Sequence, residues 1–181
     1  LICTGKKTKT INELQQKEKT YSGIICLGAT TPSYDLETNI DTQFPIKHIS
    51  DDLIYNTAKS LTGEIQQYPP LYSALKKEGK RLYEYARTGE KTTLEKRTVI
   101  INKFDITNIK LPEVHFLVEC SKGTYIRSLT HDFGKKLKSG AHLTSLKRIK
   151  NGNFSLVDAY TMKSVVDENN KKNIRSVKSI K

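Results

Sequence analysis

Apolar residues recur along this chain with two different periods. In TYSGIICLGATT (20–31), Ile24, Ile25, Cys26 and Leu27 form a short continuous run. That is the pattern of a strand covered on both faces, here running into a turn. VIINKFDITNI (99–109) and EVHFLVECS (113–121) read as an antiparallel pair around Leu111–Pro112. In the second, Val114, Phe116, Val118 and Cys120 alternate with His115, Leu117 and Glu119, which predicts a strand with one face on a core. The helical period appears over 125–138, where Ile126, Leu129, Phe133 and Leu137 fall on one face. A second helix is predicted after Ser50, which reads as its N-cap, with Asp51 and Asp52 in the first turn. Ile54, Ala58 and Leu61 form its apolar stripe and Gly63 its stop. RLYEYART followed by Gly89 predicts a third, over 81–88.

The remaining segments carry weaker signals. GKKTKTINELQQKEK is polar and lysine-rich and receives no element, and 32–45 reads as a loop. Adjacent prolines in IQQYPPLYSALKKEGK (65–80) exclude a regular helix or central strand there. AHLTSLKRIK, NGNF and SLVDAY read as short strands or turns, and ENNKKNIRSVKSIK as a frayed or disordered polar tail. The pattern is α+β with antiparallel strands dominating, and no internal repeat is visible.

A chain of 181 residues fits one domain, or one with a small appendage. At 36% hydrophobic it can build a core. Thirty-one Lys and Arg against 19 Asp and Glu give a formal charge of +12. That excess favours a polyanionic partner such as nucleic acid, the alternative being a solubilising surface. Cys3, Cys26 and Cys120 are odd in number and far apart. They suggest neither a disulfide framework nor zinc, and a reducing, cytoplasmic setting is the simplest reading. No apolar run approaches the ~18 residues of a membrane span, and no signal peptide is visible. Leu1 opens directly into the apolar LIC, an unusual start that raises the expectation of a missing N-terminal segment.

The candidate chemistry centres on CSKGTYIRSL (120–129). Arg127 lies at the margin of the predicted helix's apolar face, where it either extends to solvent or satisfies its donors on a carboxylate, phosphate or carbonyl. Gly123 permits close backbone approach and Tyr125 adds a stacking surface. KTY (19–21) pairs a cation with an aromatic at a strand start, suited to a phosphate and a stacked base or simply a strand edge. YPPLYSALK (68–76) is a rigid apolar bend that either forms a ledge for RNA or packs a loop on the core. His48, His115, His131 and His142 lack metal-ligand spacing, so no metal is expected. No phosphate-binding loop, dinucleotide fingerprint or hydrolase elbow is present. Nothing in the pattern marks Asp35 or Asp132 as a nucleophile. The residues alone point to a basic α+β domain that binds RNA.

The same stretches, ICTGKKTK, KTYSGIICLGATTPSYD, QYPPLYSALKKEGKRLYEYARTGE and CSKGTYIRSLTHDFGKKLKSGAHLTSLKRIKNGNF, resemble in order the TruB family of tRNA pseudouridine synthases. The resemblance spans 1–160, leaving 161–181 as the polar tail. It implies a pseudouridine synthase-like fold, a mixed and mainly antiparallel sheet with flanking helices. The implied activity is cofactor-free isomerisation of the T-loop uridine of tRNA, nucleotide 55, to pseudouridine. The base would be flipped into a pocket, its bond to ribose exchanged for a carbon–carbon bond. By motif, Tyr21 is implied to stack on the base and help move the C5 proton, Arg127 to hold the catalytic aspartate, and Leu146 to close the apolar wall. Tyr125 is implied to line the pocket, with Lys19, Tyr72, Lys76 and Lys122 positioning RNA. The family's aspartate belongs to a G-T-L-D-P-type motif that would precede LICTGK. The expectation is therefore that 1–160 is the C-terminal part of the catalytic domain, inactive alone and without the carboxylate that Arg127 serves. A non-catalytic RNA-binding or RNA-chaperone module is the alternative. A guide-RNA-directed subunit is a third reading, disfavoured by the short sequence after the matched blocks. No obligate protein partner and no membrane are expected.

Overall fold

The computed structural model describes residues 1–90 and 92–168. In chain order the strands are β1 (Lys19–Leu27), β2 (Ala29–Thr30), β3 (Thr42–Gln43), β4 (Gly63–Gln67), β5 (Lys76–Lys77), β6 (Lys80–Arg81), β7 (Arg97–Lys110), β8 (Glu113–Cys120), β9 (Ala141–Asn151) and β10 (Phe154–Ser155). The helices are α1 (Ile11–Gln16), α2 (Asp51–Ser60), α3 (Leu82–Thr88) and α4 (Ile126–Lys136). Six strands form one sheet in the order β10-β9-β1-β8-β7-β4, while β2–β3 and β5–β6 are separate ribbons. Every ladder of the large sheet is antiparallel, so the architecture is the α+β one that the patterning indicates.

Helices α2 and α4 lie against this sheet, α2 on β7 and α4 on β9, and touch each other. The core between them holds Ile25, Ile54, Ile101, Val114, Phe116, Val118, Leu129 and Phe133. Phe133 is fully buried, and truncating such a side chain to alanine costs ~3–5 kcal/mol. Gly134 lets α4 come close to β9, because a Cβ there would overlap the side chain and backbone nitrogen of Ala141. Gly23 does the same within the sheet, where a Cβ would sit 2.6 Å from the Phe116 ring.

Local signals account for the ends. Ser50 Oγ accepts from the Leu53 N–H at 3.3 Å, capping α2. Gly63 is the first residue of β4 rather than the helix stop, and its φ of 98° turns the chain onto that edge strand. Gly89 closes α3 in the left-handed region at φ 69°.

Three segments differ from the sequence expectation. GKKTKTINELQQKEK forms a 3-10 turn, Gly5–Thr10, and then α1. Neither buries a residue, so no apolar period marks them. AHLTSLKRIK belongs to one 11-residue strand, β9, whose Ala141, His142 and Leu143 are buried while 145–148 are exposed. Its exposed half breaks the alternation that would identify a long strand. Residues 162–168 are helical, and the rest of the predicted disordered tail lies outside the described residues. Among the described residues no helix is long and apolar enough to cross a membrane.

Candidate active site

The site is built where β4, α4 and the loop after β2 converge. Tyr125 precedes α4 in an extended conformation (φ −97°, ψ 110°). The fully buried Gln67, last residue of β4, grips it: Gln67 Nε2 donates to the Tyr125 carbonyl at 3.1 Å, and the Tyr125 N–H donates to Gln67 Oε1 at 2.9 Å. The sheet edge thereby fixes the first turn of α4, which carries Arg127.

Arg127 is only 22% exposed and does not extend to solvent. Its Nη1 lies 3.1 Å from Asp35 Oδ2 and donates to the Ser33 carbonyl at 3.3 Å. Nη2 donates to the Tyr72 carbonyl at 2.8 Å. Among the residues of this chain, Asp35 is thus a carboxylate that Arg127 pairs with, distinct from the motif aspartate expected to precede LICTGK. The other Asp35 oxygen, Oδ1, accepts from the Glu37 N–H at 2.9 Å. Charge assistance makes such hydrogen bonds about twice as strong as neutral ones. Sequence patterning missed Asp35 because a long separation in the chain hides the pair. The only local signal is its place in the turn-rich segment following the KTY strand.

Asp35 and Arg127 line a cleft of about 500 Å³ with Leu36, Leu143, Thr144 and Leu146. A second cleft of about 420 Å³ is lined by Lys19, Tyr21, Lys122, Gly123 and Arg148. Strand register relates the two. Gly23 pairs with Leu146, and Tyr21 with Arg148, so Leu146, Arg148 and Tyr21 share one sheet face. Both clefts therefore open on the face that α4 covers in part.

The electrostatics suit a neutral phenol among cations. Burial and then Cys120 push the Tyr21 hydroxyl above its ordinary value, partly offset by Arg148. Lys19 is lowered by burial and by the neighbouring Arg148 and Lys122. Its ammonium donates to the carbonyls of Gln15, at 2.6 Å, and Lys17, which ties it to the end of α1. Asp132 does not join the site and opens on another groove, with Lys135 and Lys136.

Of the residues singled out in the sequence, the structure brings Arg127 and Leu146 together in one cleft and Lys19, Tyr21 and Lys122 in the other. Tyr72 reaches Arg127 through its carbonyl, whereas Tyr125 is bonded through its backbone to Gln67 and lines neither cleft. Lys76 is exposed on the β5–β6 ribbon and lines neither cleft.

Comparison with known proteins places this geometry. Residues 1–126 match the model of the TruB family pseudouridylate synthase N-terminal domain, and 127–178 that of the tRNA pseudouridylate synthase B C-terminal domain. A protein of Flavobacterium johnsoniae named tRNA pseudouridine synthase B is 57% identical over 88% of this chain and 69% of its own length. The Bacteroides fragilis protein of that name is 48% identical over 86% of this chain and 67% of its own. Among solved structures, a chain of a Cbf5-Nop10-Gar1 complex superposes with a TM-score of 0.62 at 27% identity, covering 85% of this chain and 36% of that one. A chain of an H/ACA RNP bound to a substrate RNA containing 2'-deoxyuridine shares the fold, with a TM-score of 0.57 at 24% identity, and covers 85% of this chain and 34% of that one. The chain thus spans about a third of the length of these structural neighbours. Sequence and fold agree that the chain belongs to the TruB family of pseudouridylate synthases.

Proposed function

We propose that the protein isomerises a uridine of tRNA to pseudouridine, acting on the T-loop uridine at the end of the T arm. The observation that carries this reading is the half-buried Arg127–Asp35 pair facing the Leu146 wall, inside a chain of this family. A base in a helix or loop is inaccessible to such a cleft until it is flipped out of its stack. Leu146 and Leu143 offer the extruded base an apolar wall. Tyr21 offers an aromatic face and, kept as a neutral phenol, a hydroxyl for proton movement at base C5.

Arginine carries five N–H donors in a fixed fork. Asp35 and the two carbonyls occupy both of its terminal nitrogens. Asp35 thereby holds the guanidinium in place, and its remaining donors stay available to orient a second carboxylate. In this reading that carboxylate is the nucleophilic aspartate of the G-T-L-D-P-type motif, which residues 1–181 do not contain. The aspartate helps break the bond from base N1 to ribose. The base turns, C5 attacks the same sugar carbon, the C5 proton is lost, and N1, which kept the electron pair of the broken bond, takes up a proton. Lys122 and Arg148 beside the clefts suit phosphate contacts. No cofactor or obligate protein partner is required, and a cytoplasmic site of action follows from the substrate.

The charge of +12 favours, as a second reading, an RNA-binding module without catalysis. Tritium at uridine C5 of a T-arm RNA separates the two. A protein carrying the G-T-L-D-P-type motif ahead of these residues should release the label, and residues 1–181 by themselves should not. Tight binding by the full-length protein without release would leave only the RNA-binding reading.

A further inference from the structure

Helix α4 meets the loop after β2 at two successive residues. Arg127 grips Asp35, and one helical turn later the His131 imidazole stacks on Tyr34, ring centroids 4.1 Å and planes 20° apart. Side chains four apart share one helix face, so a single stripe of α4 addresses both loop residues.

Tyr34 is the residue that needs holding. Its φ is 65°, in the left-handed region that a bulky L residue adopts only under constraint. Such a conformation persists where the surroundings over-determine it, and it concentrates at functional sites. Here the Tyr34 N–H donates to the Thr31 carbonyl at 3.1 Å, and its own carbonyl accepts from the Leu143 N–H at 2.9 Å. The Asp35 carbonyl accepts from Thr31 Oγ1 at 2.7 Å and Ser33 Oγ at 3.2 Å. This turn aims the Asp35 carboxylate at Arg127.

The imidazole contributes contact rather than hydrogen bonding. His131 Nδ1 is buried and has no hydrogen-bond partner among the described residues. Burial and Lys135 hold His131 below its ordinary value, against the pull of Asp41. Burial, Asp132 and Asp41 raise the Tyr34 phenol. Both rings are therefore neutral near pH 7 and stack without a charge between them.

We propose that His131 is a positioning residue whose ring, stacked on Tyr34, locks the left-handed turn that presents Asp35 to Arg127. Histidine and arginine one turn apart on α4 thus clamp consecutive loop residues, and the reacting base meets a guanidinium already fixed in direction. This rests on the isomerase reading above for its effect on rate, but not for its geometry.

The test uses the full-length protein in two arms. In the first, tritium release from saturating C5-labelled T-arm RNA is followed in a single turnover, beside RNA affinity. His131→Ala and Tyr34→Gly should each slow release about tenfold with RNA affinity unchanged, since small misplacements of a reacting group are costly. His131→Phe, which keeps the stack, should restore the rate. Tyr34→Gly suits the positive φ and guards against a variant that fails to fold. In the second arm, NMR of the Arg127 guanidinium protons should show slow rotation in wild type and His131→Phe, and averaging in His131→Ala. Wild-type rates in both His131→Ala and Tyr34→Gly would overturn the proposal, as would unchanged guanidinium signals in His131→Ala. If the wild-type protein releases no tritium, the isomerase reading fails and the second arm alone decides the clamp.

Discussion

The carboxamide of Gln67 substitutes for a neighbouring strand: it gives a hydrogen bond to the Tyr125 carbonyl and takes one from the Tyr125 N–H. A single side chain on the edge strand thereby sets where α4 begins. Gln67→Leu should strand both Tyr125 backbone groups and destabilise the fold by ~2–4 kcal/mol, each unmet buried group costing ~1–3 kcal/mol. Urea unfolding measures this. Gln67→Glu should also lose stability near neutral pH, because it keeps an acceptor for the N–H but offers the carbonyl no donor and buries a charge.

Arg127 and Asp35 should behave as a unit in rate and as bystanders in affinity. In the full-length protein, Arg127→Ala and Asp35→Asn should each reduce single-turnover tritium release by at least ~100-fold while changing the RNA dissociation constant less than about threefold. Arg127→Lys should not rescue, because an ammonium cannot span Asp35, Ser33 and Tyr72 as the planar fork does. Equal losses in binding and rate would make Arg127 a phosphate contact instead.

Asp132 supplies a pH signature separate from the site. Burial raises its carboxyl above the ordinary 3.8, with Lys135 and Lys136 opposing. A raised folded-state value means the protonated form favours the fold. The stabilising contribution is complete below pH 3.8 and is lost as pH rises through the folded value. Asp132→Asn should therefore be more stable than wild type at pH 7, and the advantage should vanish below pH 3.8. Denaturant titrations across that range read the sign directly.

Lys19 and Lys122 border the same cleft but should respond differently. Lys122→Ala should weaken RNA binding and lower the salt slope of log K by ~0.7–0.9, the value for one lost phosphate contact. Lys19→Ala should chiefly destabilise the protein, because that ammonium is bound to the carbonyls of Gln15 and Lys17. Salt-dependent binding and thermal unfolding of the two variants distinguish the roles.

Legibility in the sequence followed the range of the interactions. The Ser50 cap, the stripe of Ile126, Leu129, Phe133 and Leu137, and the alternation of Val114, Phe116 and Val118 are local patterns, and the folded chain keeps each. Helix α1 buries nothing and β9 is exposed over much of its length, so neither prints a clear period. Arg127 could be singled out from its position at the apolar margin, but its partner could not. Asp35 is brought to it by a turn whose geometry depends on Tyr34, Thr31 and Leu143. Separations of that size carry no periodicity to read.

Gly134 has a mechanical corollary. With no side chain between helix and strand at that contact, α4 and β9 can neither slide nor tilt past one another without collision. Arg127 and Leu146, carried on these two elements, therefore form one stiff jaw, and the turn at Tyr34 and Asp35, bonded to β9 through Leu143 and to α4 through Arg127, is braced against both sides of it.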